Sequence, residues 1–134
     1  MAGQNNRSDK LKRLVEVQRH LEQMAEIDLA TATRQRQELG EAIDSTTEAI
    51  NSLHPVHRNF SSIYSGRLGK LQQKDQMLAN VQEMHQGRVI KERTKGDRLE
   101  EHMREARADE TREADDNSIY DLIDQSFATK RSDS

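Results

Sequence analysis

A single proline, Pro55, is the only residue of its type in this chain of 134 residues. Proline has no backbone N–H and disfavours helical geometry in the residue before it, so it interrupts a helix at a defined point. On both sides of Pro55, apolar residues recur every three or four positions, which is the spacing of one helix face. The sequence therefore predicts an all-α chain with two long helices joined by one turn.

The first helix is predicted over residues 8–53. Its apolar stripe alternates steps of three and four from Ala32 onward, as in a coiled coil. Three successive steps of four between Val17 and Leu29 predict a local unwinding of the supercoil. The predicted stripe consists of Leu14, Val17, Leu21, Ala25, Leu29, Ala32, Arg36, Leu39, Ile43, Thr46, Ile50 and Leu53.

The turn is predicted at about 54–62 and the second helix at about 63–114. The alternative for the edge of the turn is that Pro55 is the first residue of the next helix. The stripe of the second helix keeps the same spacing, but polar residues and a glycine interrupt it. Such interruptions weaken a helix pair and fix its register. The stripe consists of Leu68, Leu71, Asp75, Leu78, Val81, His85, Val89, Glu92, Gly96, Leu99, Met103 and Ala106.

A separate tail is predicted over residues 115–134. The segment Ser118–Asp121 resembles a capping box, which marks the start of a helix. Four apolar residues within and after this segment share one helical face, so the tail is predicted to hold a short amphipathic helix. They are Ile119, Leu122, Ile123 and Phe127.

Composition limits how these helices are stabilised. Leu, Ile, Val and Phe together number 25 of the 134 residues, there is no Trp, and 34% of residues are charged. So few apolar residues cannot fill a thick globular core. A narrow apolar stripe has to be buried against another element, so the sequence predicts one domain over residues 1–134: an antiparallel two-helix coiled-coil hairpin with a short C-terminal helical tail.

Heptad stripes can slide past one another, so two pairings remain open. The preferred pairing places Ile43 opposite Leu78 and Ala32 opposite Val89. A pairing shifted by about ten residues, with Leu39 opposite Leu71, also aligns apolar residues.

Missing residue types exclude several kinds of site. The chain has no Cys, which excludes disulfides and Cys-ligated zinc, and its six glycines form no phosphate-binding pattern. No apolar run is long enough for a transmembrane helix, and the N-terminal residues resemble no secretory signal. The lack of Cys agrees with a reducing compartment, although many exported proteins also lack Cys.

The candidate chemical groups favour a binding protein over an enzyme. His54 and His57 lie three residues apart at the turn, but a metal site needs further converging ligands. Paired carboxylates such as Glu100 and Glu101 need a desolvated pocket for catalysis, and a two-helix hairpin has none. No enzyme activity, cofactor or metal is predicted. The basic stretch 88–98 lacks the interleaved aromatic residues of a single-strand binder, so nucleic-acid binding is the weaker reading.

Charge and aromatic residues concentrate in separate regions. Residues 56–98 hold nine basic and four acidic groups, whereas residues 99–124 hold three basic and ten acidic groups. The four aromatic residues lie at the turn (Phe60, Tyr64) and in the tail (Tyr120, Phe127). Exposed aromatic residues at such extremities indicate partner contacts, and the alternative is that they cover the turn and the end of the helix pair.

Two segments carry a resemblance to a known family. Residues 11–30, a Leu-rich stretch followed by a Glu-rich segment with Ala, resemble the first helix of FliJ-type flagellar export proteins and their type III secretion counterparts. Residues 120–131, an acidic and apolar cluster followed by Ala and basic residues, are similar to the tail of that family. The length, the long first helix and the mid-chain turn also agree with it.

The resemblance implies a non-enzymatic coiled-coil stalk. Such a protein couples the ring of the export ATPase to the cytoplasmic domain of the export gate, and some members escort export chaperones. It acts in the cytoplasm or at the cytoplasmic face of the membrane, which it reaches only through its partners. The turn of this chain departs from the pattern of the family, because it is shorter and less aromatic than in enteric members.

The resemblance also implies two contact regions. The turn region is expected to face the gate through Ile50, Leu53, Phe60, Tyr64 and Leu68. The region with both termini is expected to face the ATPase through Arg7, Lys10, Lys12, Arg13, Ile119, Tyr120, Leu122, Ile123 and Phe127. The alternative is a self-associating structural or adaptor coiled coil unrelated to export.

Overall fold

A computed structural model of the chain describes residues 6–133, with side chains up to Arg131. It contains three helices: α1 (Arg7–Asn51), α2 (Pro55–Asn59) and α3 (Ser61–Asp133). No strand occurs in this part of the chain, which confirms the all-α prediction. The two long helices, α1 and α3, pack against each other.

Pro55 begins a short helix inside the predicted turn, as in the alternative for the edge of the turn. The ring of proline suits the first helical position, where the missing N–H has no partner to lose. His54 caps this short helix, because its Nδ1 accepts a hydrogen bond from the backbone N–H of Val56 at 3.2 Å. At Phe60 the backbone leaves helical geometry (φ −110°, ψ 12°), and this residue separates α2 from α3.

The predicted boundary near residue 115 is wrong, because α3 runs without a break to Asp133. Neither Gly nor Pro occurs after Gly96, so nothing in the sequence stops the helix. Ser118 does not cap a new helix; its hydroxyl donates a hydrogen bond to the carbonyl of Ala114, one turn earlier, at 3.0 Å. The tail is therefore the last part of α3.

The inner face of α1 alternates steps of three and four along the whole helix, so the predicted unwinding between Val17 and Leu29 is wrong. Leu14 and Val17 are 52% and 60% exposed, and Val15 and Gln18 are buried in their place. The apolar pattern identified the wrong residues as buried here, because polar residues occupy some positions of the inner face. The buried or half-buried residues of this face are Ser8, Leu11, Val15, Gln18, Glu22, Ala25, Leu29, Ala32, Arg36, Leu39, Ile43, Thr46 and Ile50.

The inner face of α3 agrees with its prediction except at Val81, which is exposed; the half-buried Gln82 takes its position. The face comprises Tyr64, Leu68, Leu71, Asp75, Leu78, Gln82, His85, Val89, Glu92, Gly96, Leu99, Met103, Ala106 and Glu110.

The chain divides into two compact units. The first comprises Met1–Gln18 and Lys95–Ser134, and the second comprises Arg19–Thr94. The organisation as a single domain stays a prediction. Within the part that the structure describes, no helix is long and apolar enough to cross a membrane.

Contacts inside the second unit define its register. Thr33 contacts Gln82, Asp28 contacts Arg88, and Glu22 contacts Arg93, so positions on α3 rise as positions on α1 fall. The preferred pairing from the sequence places Asp28 opposite residue 92, about one helical turn beyond these three contacts, whereas the contact of Arg93 with Glu26 lies close to that pairing. The pairing shifted by about ten residues also fails to bring these residues together, because it places Asp28 opposite residue 82, on the other side of Arg88. Polar contacts therefore select an intermediate register that the apolar stripes alone did not reveal.

The absence of Cys allows this register to be tested by cross-linking. Thr33→Cys with Gln82→Cys should form an intramolecular disulfide or short bismaleimide link rapidly, because the two native side chains meet at 3.1 Å. Thr33→Cys with Gln86→Cys, one turn along α3, is the matched control and should link more slowly. The measurement is the rate of cross-linking of dilute protein by mass spectrometry. Faster linking of the control pair would contradict the register.

Candidate functional site

The turn of the second unit exposes apolar side chains. Leu53 is 85% exposed, and Val56, Phe60 and Ile63 are also exposed. Since Phe60 lies at the break between α2 and α3, its ring does not enter an inner face. The turn therefore presents an apolar surface formed by these four residues, which we call the turn surface.

The rings next to the turn surface stabilise the turn. His57 contacts Tyr64 through Nδ1 and the phenolic oxygen at 3.2 Å, and the ring centroids of this pair are 5.8 Å apart. Phe60 and Tyr64 have centroids 6.5 Å apart. His54 and His57 are thus engaged in local structure. In the described chain, no group of three or more His, Asp or Glu side chains is placed to hold a metal ion.

The predicted gate-facing residues separate into two groups. Leu53 and Phe60 are exposed, whereas Ile50, Tyr64 and Leu68 are half-buried on the inner faces. Val56 and Ile63 were missed. The sequence did contain an indication of their exposure, because both are apolar residues that lie outside the three-and-four spacing of the inner faces. The break between α2 and α3 at Phe60 explains why they are exposed.

The tail of α3 is the second candidate surface. Every residue from 111 to 131 is exposed, and a line of apolar side chains follows this stretch of helix. We call it the tail face; it contains the predicted ATPase-facing residues Ile119, Tyr120, Leu122, Ile123 and Phe127.

The predicted basic residues at the start of α1 are exposed. They do not form one surface with the predicted residues of the tail face. Arg7 lines a groove with Asp109, Glu110 and Glu113, so it lies beside the acidic part of α3. The tail face begins several residues further along α3. The other basic residues of this set are Lys10, Lys12 and Arg13.

The interaction between Ser8 and Glu110 marks the last inner-face contact before the tail. The N–H of Ser8, in the first turn of α1, has no partner within its own helix and donates to Oε1 of Glu110 at 3.0 Å. The hydroxyl of Ser8 donates to Oε2 of the same carboxylate. These two hydrogen bonds hold the pKa of Glu110 below its usual value. A carboxylate at this position also complements the positive end of the α1 dipole.

A charged cluster lies on the inner face in the second unit. The side chain of Glu22 is 12% exposed and accepts from Nη1 of Arg19 at 2.8 Å and from Nε of Arg93 at 3.0 Å. The hydrogen bond from Arg19, supported by that from Arg93, lowers the pKa of Glu22, and partial burial opposes this shift. Arg93 also contacts Glu26 at 3.3 Å.

A second polar cluster surrounds Arg36. Its Nε donates to Oδ1 of Asp75 at 3.1 Å, and its Nη1 donates to Oε1 of Gln82 at 2.9 Å. The amide of Gln82 in turn donates to the hydroxyl of Thr33 at 3.1 Å. The sequence placed Arg36 and Asp75 on the predicted stripes, but neither their pairing nor the role of Gln82 followed from spacing alone.

Comparisons with protein-family models, curated proteins and solved structures find no match for this chain. The resemblance to FliJ-type proteins therefore depends on the residues of the two segments quoted above.

Glu22 should make the stability of the protein depend on pH. Because its pKa is lowered in the folded state, its stabilising effect is fully present above the usual pKa of a Glu side chain and is lost as the pH falls below that value through the lower pKa of the folded state. Glu22→Gln should lower the free energy of unfolding by about 1 kcal/mol at pH 7 and by much less at pH 3. The effect at pH 7 is small because Arg93 is half-exposed, so that solvent screens its interaction with Glu22.

Thermal and urea unfolding followed by circular dichroism at both pH values provides the measurement. Glu38→Gln is the matched control, because Glu38 is 69% exposed and lies 4.0 Å from its basic partner Arg34. Equal effects of the two substitutions at pH 7 would show that the cluster around Glu22 does not stabilise the fold.

Proposed function

We propose that this protein is a non-enzymatic stalk and coupling protein resembling FliJ, which links the ATPase of a flagellar or type III export apparatus to the export gate. One observation carries the proposal: α3 continues beyond Glu110 as an exposed helix with apolar side chains along it. A helix of this kind is suited to dock on another protein. The residues of segments 11–30 and 120–131 supply the link to the export family.

In this proposal α1 and α3 form an antiparallel coiled-coil hairpin. The opposite order of the contacts of Asp28 and Glu22 along α3 supports this arrangement in the second unit. The polar inner faces support a role in which partners add stability, because buried charged clusters stabilise a helix pair less than apolar packing does.

The terminal region is proposed to bind the ATPase ring. The tail face supplies apolar contacts, while Arg7, Lys10, Lys12 and Arg13 supply positive charge near the start of α1. Charges at the rim of an interface mainly set the rate of association and its salt dependence. Apolar side chains near the centre of an interface supply most of the binding energy.

The turn surface is proposed to bind the cytoplasmic domain of the gate. Leu53 and Phe60 are its predicted members that the structure exposes, and Val56 and Ile63 extend it. In this role the protein acts in the cytoplasm or at the cytoplasmic face of the membrane, reached only through its partners. Escort of export chaperones is a further function in this proposal, and no cofactor is required.

A self-associating structural or adaptor coiled coil is the second candidate. Met77, Met84 and Ile90 favour it, because these large apolar side chains of α3 are exposed in the second unit. A bundle of several copies would bury them. A tight oligomer whose mass does not change with concentration is the outcome that favours this role over the stalk.

The two partner contacts should be separable by substitution. Leu53→Ala with Phe60→Ala should weaken binding to the gate domain by about thirtyfold, the effect of losing about 2 kcal/mol of anchor contacts, and leave ATPase binding unchanged. Lys10→Glu with Lys12→Glu should weaken ATPase binding, and the loss should be largest at low salt. Surface plasmon resonance with the purified ATPase and gate domain from the same organism measures both.

Met77→Ala is the matched control, since it removes an exposed apolar side chain outside both surfaces. It should change neither affinity, and circular dichroism should show equal helicity for all variants. Absence of binding to both partners by the unsubstituted protein would reject the export function. Loss of helicity on changing Leu53 and Phe60 would show that they stabilise the turn instead of forming a contact.

A further inference from the structure

The tail face has a pattern that is symmetrical about Ile123. Successive residues of a helix are turned by about 100°, so residues 116, 119, 123, 127 and 130 lie within one narrow sector of α3. Ile119 and Phe127 lie four residues before and after Ile123, and Asp116 and Lys130 lie seven residues before and after it. Apolar residues thus form the centre, with an acidic residue at one end and a basic residue at the other.

A pattern of this kind is complementary to itself when reversed. If two copies are antiparallel with their Ile123 side chains in contact, Ile119 of each copy faces Phe127 of the other. Asp116 of each copy then faces Lys130 of the other, which gives two opposite-charge pairs from one two-fold axis. The same surface serves both copies, as an isologous dimer requires.

We propose that the tail face binds the tail face of a second copy of this chain, antiparallel and centred on Ile123. All the residues involved are exposed in the structure, so the pairing needs no rearrangement of the inner faces. The proposal depends on the pattern of the tail alone and goes beyond the export function, which can fail without affecting it. Because ATPase binding is proposed for the same face, the two contacts exclude each other, and the dimer is the form of the protein that is not bound to the ATPase.

Other alignments of the two tails lack this complementarity. A parallel pair places Asp116 against Asp116 and Lys130 against Lys130, so like charges face each other at both ends. Sliding the antiparallel pair by one heptad places Ile123 opposite Asp116 or Lys130, which removes the apolar centre. Only the alignment centred on Ile123 matches apolar with apolar and acidic with basic residues.

Charge also argues against a membrane surface as the occupant of the tail face. Residues 111–131 hold five acidic and three basic residues, so this stretch is acidic overall. Anionic lipid headgroups attract basic segments and repel acidic ones. A second copy, in contrast, supplies Lys130 opposite each Asp116.

The small size of the contact makes the dimer weak and reversible. About four helical turns from each copy meet, and the area buried is below the roughly 1,200 Å² of a standard stable interface. The dimer should therefore dissociate on dilution, unlike the tight oligomer of a structural bundle.

Sedimentation equilibrium of the full chain over a wide concentration range tests the proposal. The unsubstituted protein should change from monomer to dimer as its concentration rises. Ile123→Glu should prevent the dimer, because it places two carboxylates together on the two-fold axis. Leu14→Glu, at a similarly exposed apolar residue of α1, is the matched control and should leave dimerisation unchanged.

A charge exchange tests direction and register. Asp116→Lys and Lys130→Asp should each raise the dissociation constant by roughly tenfold, because each replaces two opposite-charge pairs by like-charge pairs. The two changes combined should restore the dimer. Asp121→Lys, on the opposite side of α3, carries the same change of charge and should have little effect.

Several results would overturn the proposal. These are a monomer at all concentrations, a dimer that Ile123→Glu leaves intact, and a dimer lost in Leu14→Glu. Failure of the combined exchange to restore the dimer would also reject it, because a parallel pair keeps like charges together in that variant. Equal helicity of all variants by circular dichroism excludes unfolding as the cause of a lost dimer.

Discussion

Charged side chains on the inner faces have to be paired, and the register of the second unit depends on this requirement. Apolar stripes with heptad spacing can slide by a turn at little cost, whereas an unpaired charge between two helices is expensive. Arg36 can form hydrogen bonds with both Asp75 and Gln82 only when α1 and α3 pack in one register. The same register brings Glu22 within hydrogen-bond distance of Arg93. Polar contacts thus determine how these helices pack, while the apolar residues supply the attraction.

The same clusters explain which parts of the fold could be predicted from the sequence. Where the inner face is apolar, as from Ala25 to Ala32, the spacing identified it correctly. Where Gln18 and Glu22 lie inside, the apolar pattern followed the exposed residues Leu14 and Val17 instead. A register set by side-chain pairing also cannot be read from spacing, because spacing does not show which polar residues meet.

The exposure of the turn and of the tail was predicted more accurately than the local structure that produces it. Aromatic residues at the turn indicated an exposed region, and Phe60 is exposed there. Tyr64 is half-buried, because the break at Phe60 starts a new helix whose inner face includes Tyr64. The tail was predicted as amphipathic but separate, since the resemblance of Ser118–Asp121 to a capping box suggested a new start. The unbroken helix Ser61–Asp133 identifies it as a continuation, and the hydrogen bond from Ser118 to Ala114 takes the place of the predicted cap.

The continuity of α3 beyond Glu110 has a consequence for how the tail becomes ordered. An isolated segment of about twenty residues pays a large cost to nucleate a helix, but a segment attached to a packed helix only extends one that already exists. Acidic residues predominate in the first part of this segment, whereas Lys130 and Arg131 in the last turn of α3 complement the negative end of its dipole. Because residues 111–131 are exposed, their helix depends on its own backbone hydrogen bonds and on its continuity with the packed part of α3. Heating can therefore shorten the helix from its end while the packed part of the protein stays folded, and a partner bound to the tail keeps the helix at full length.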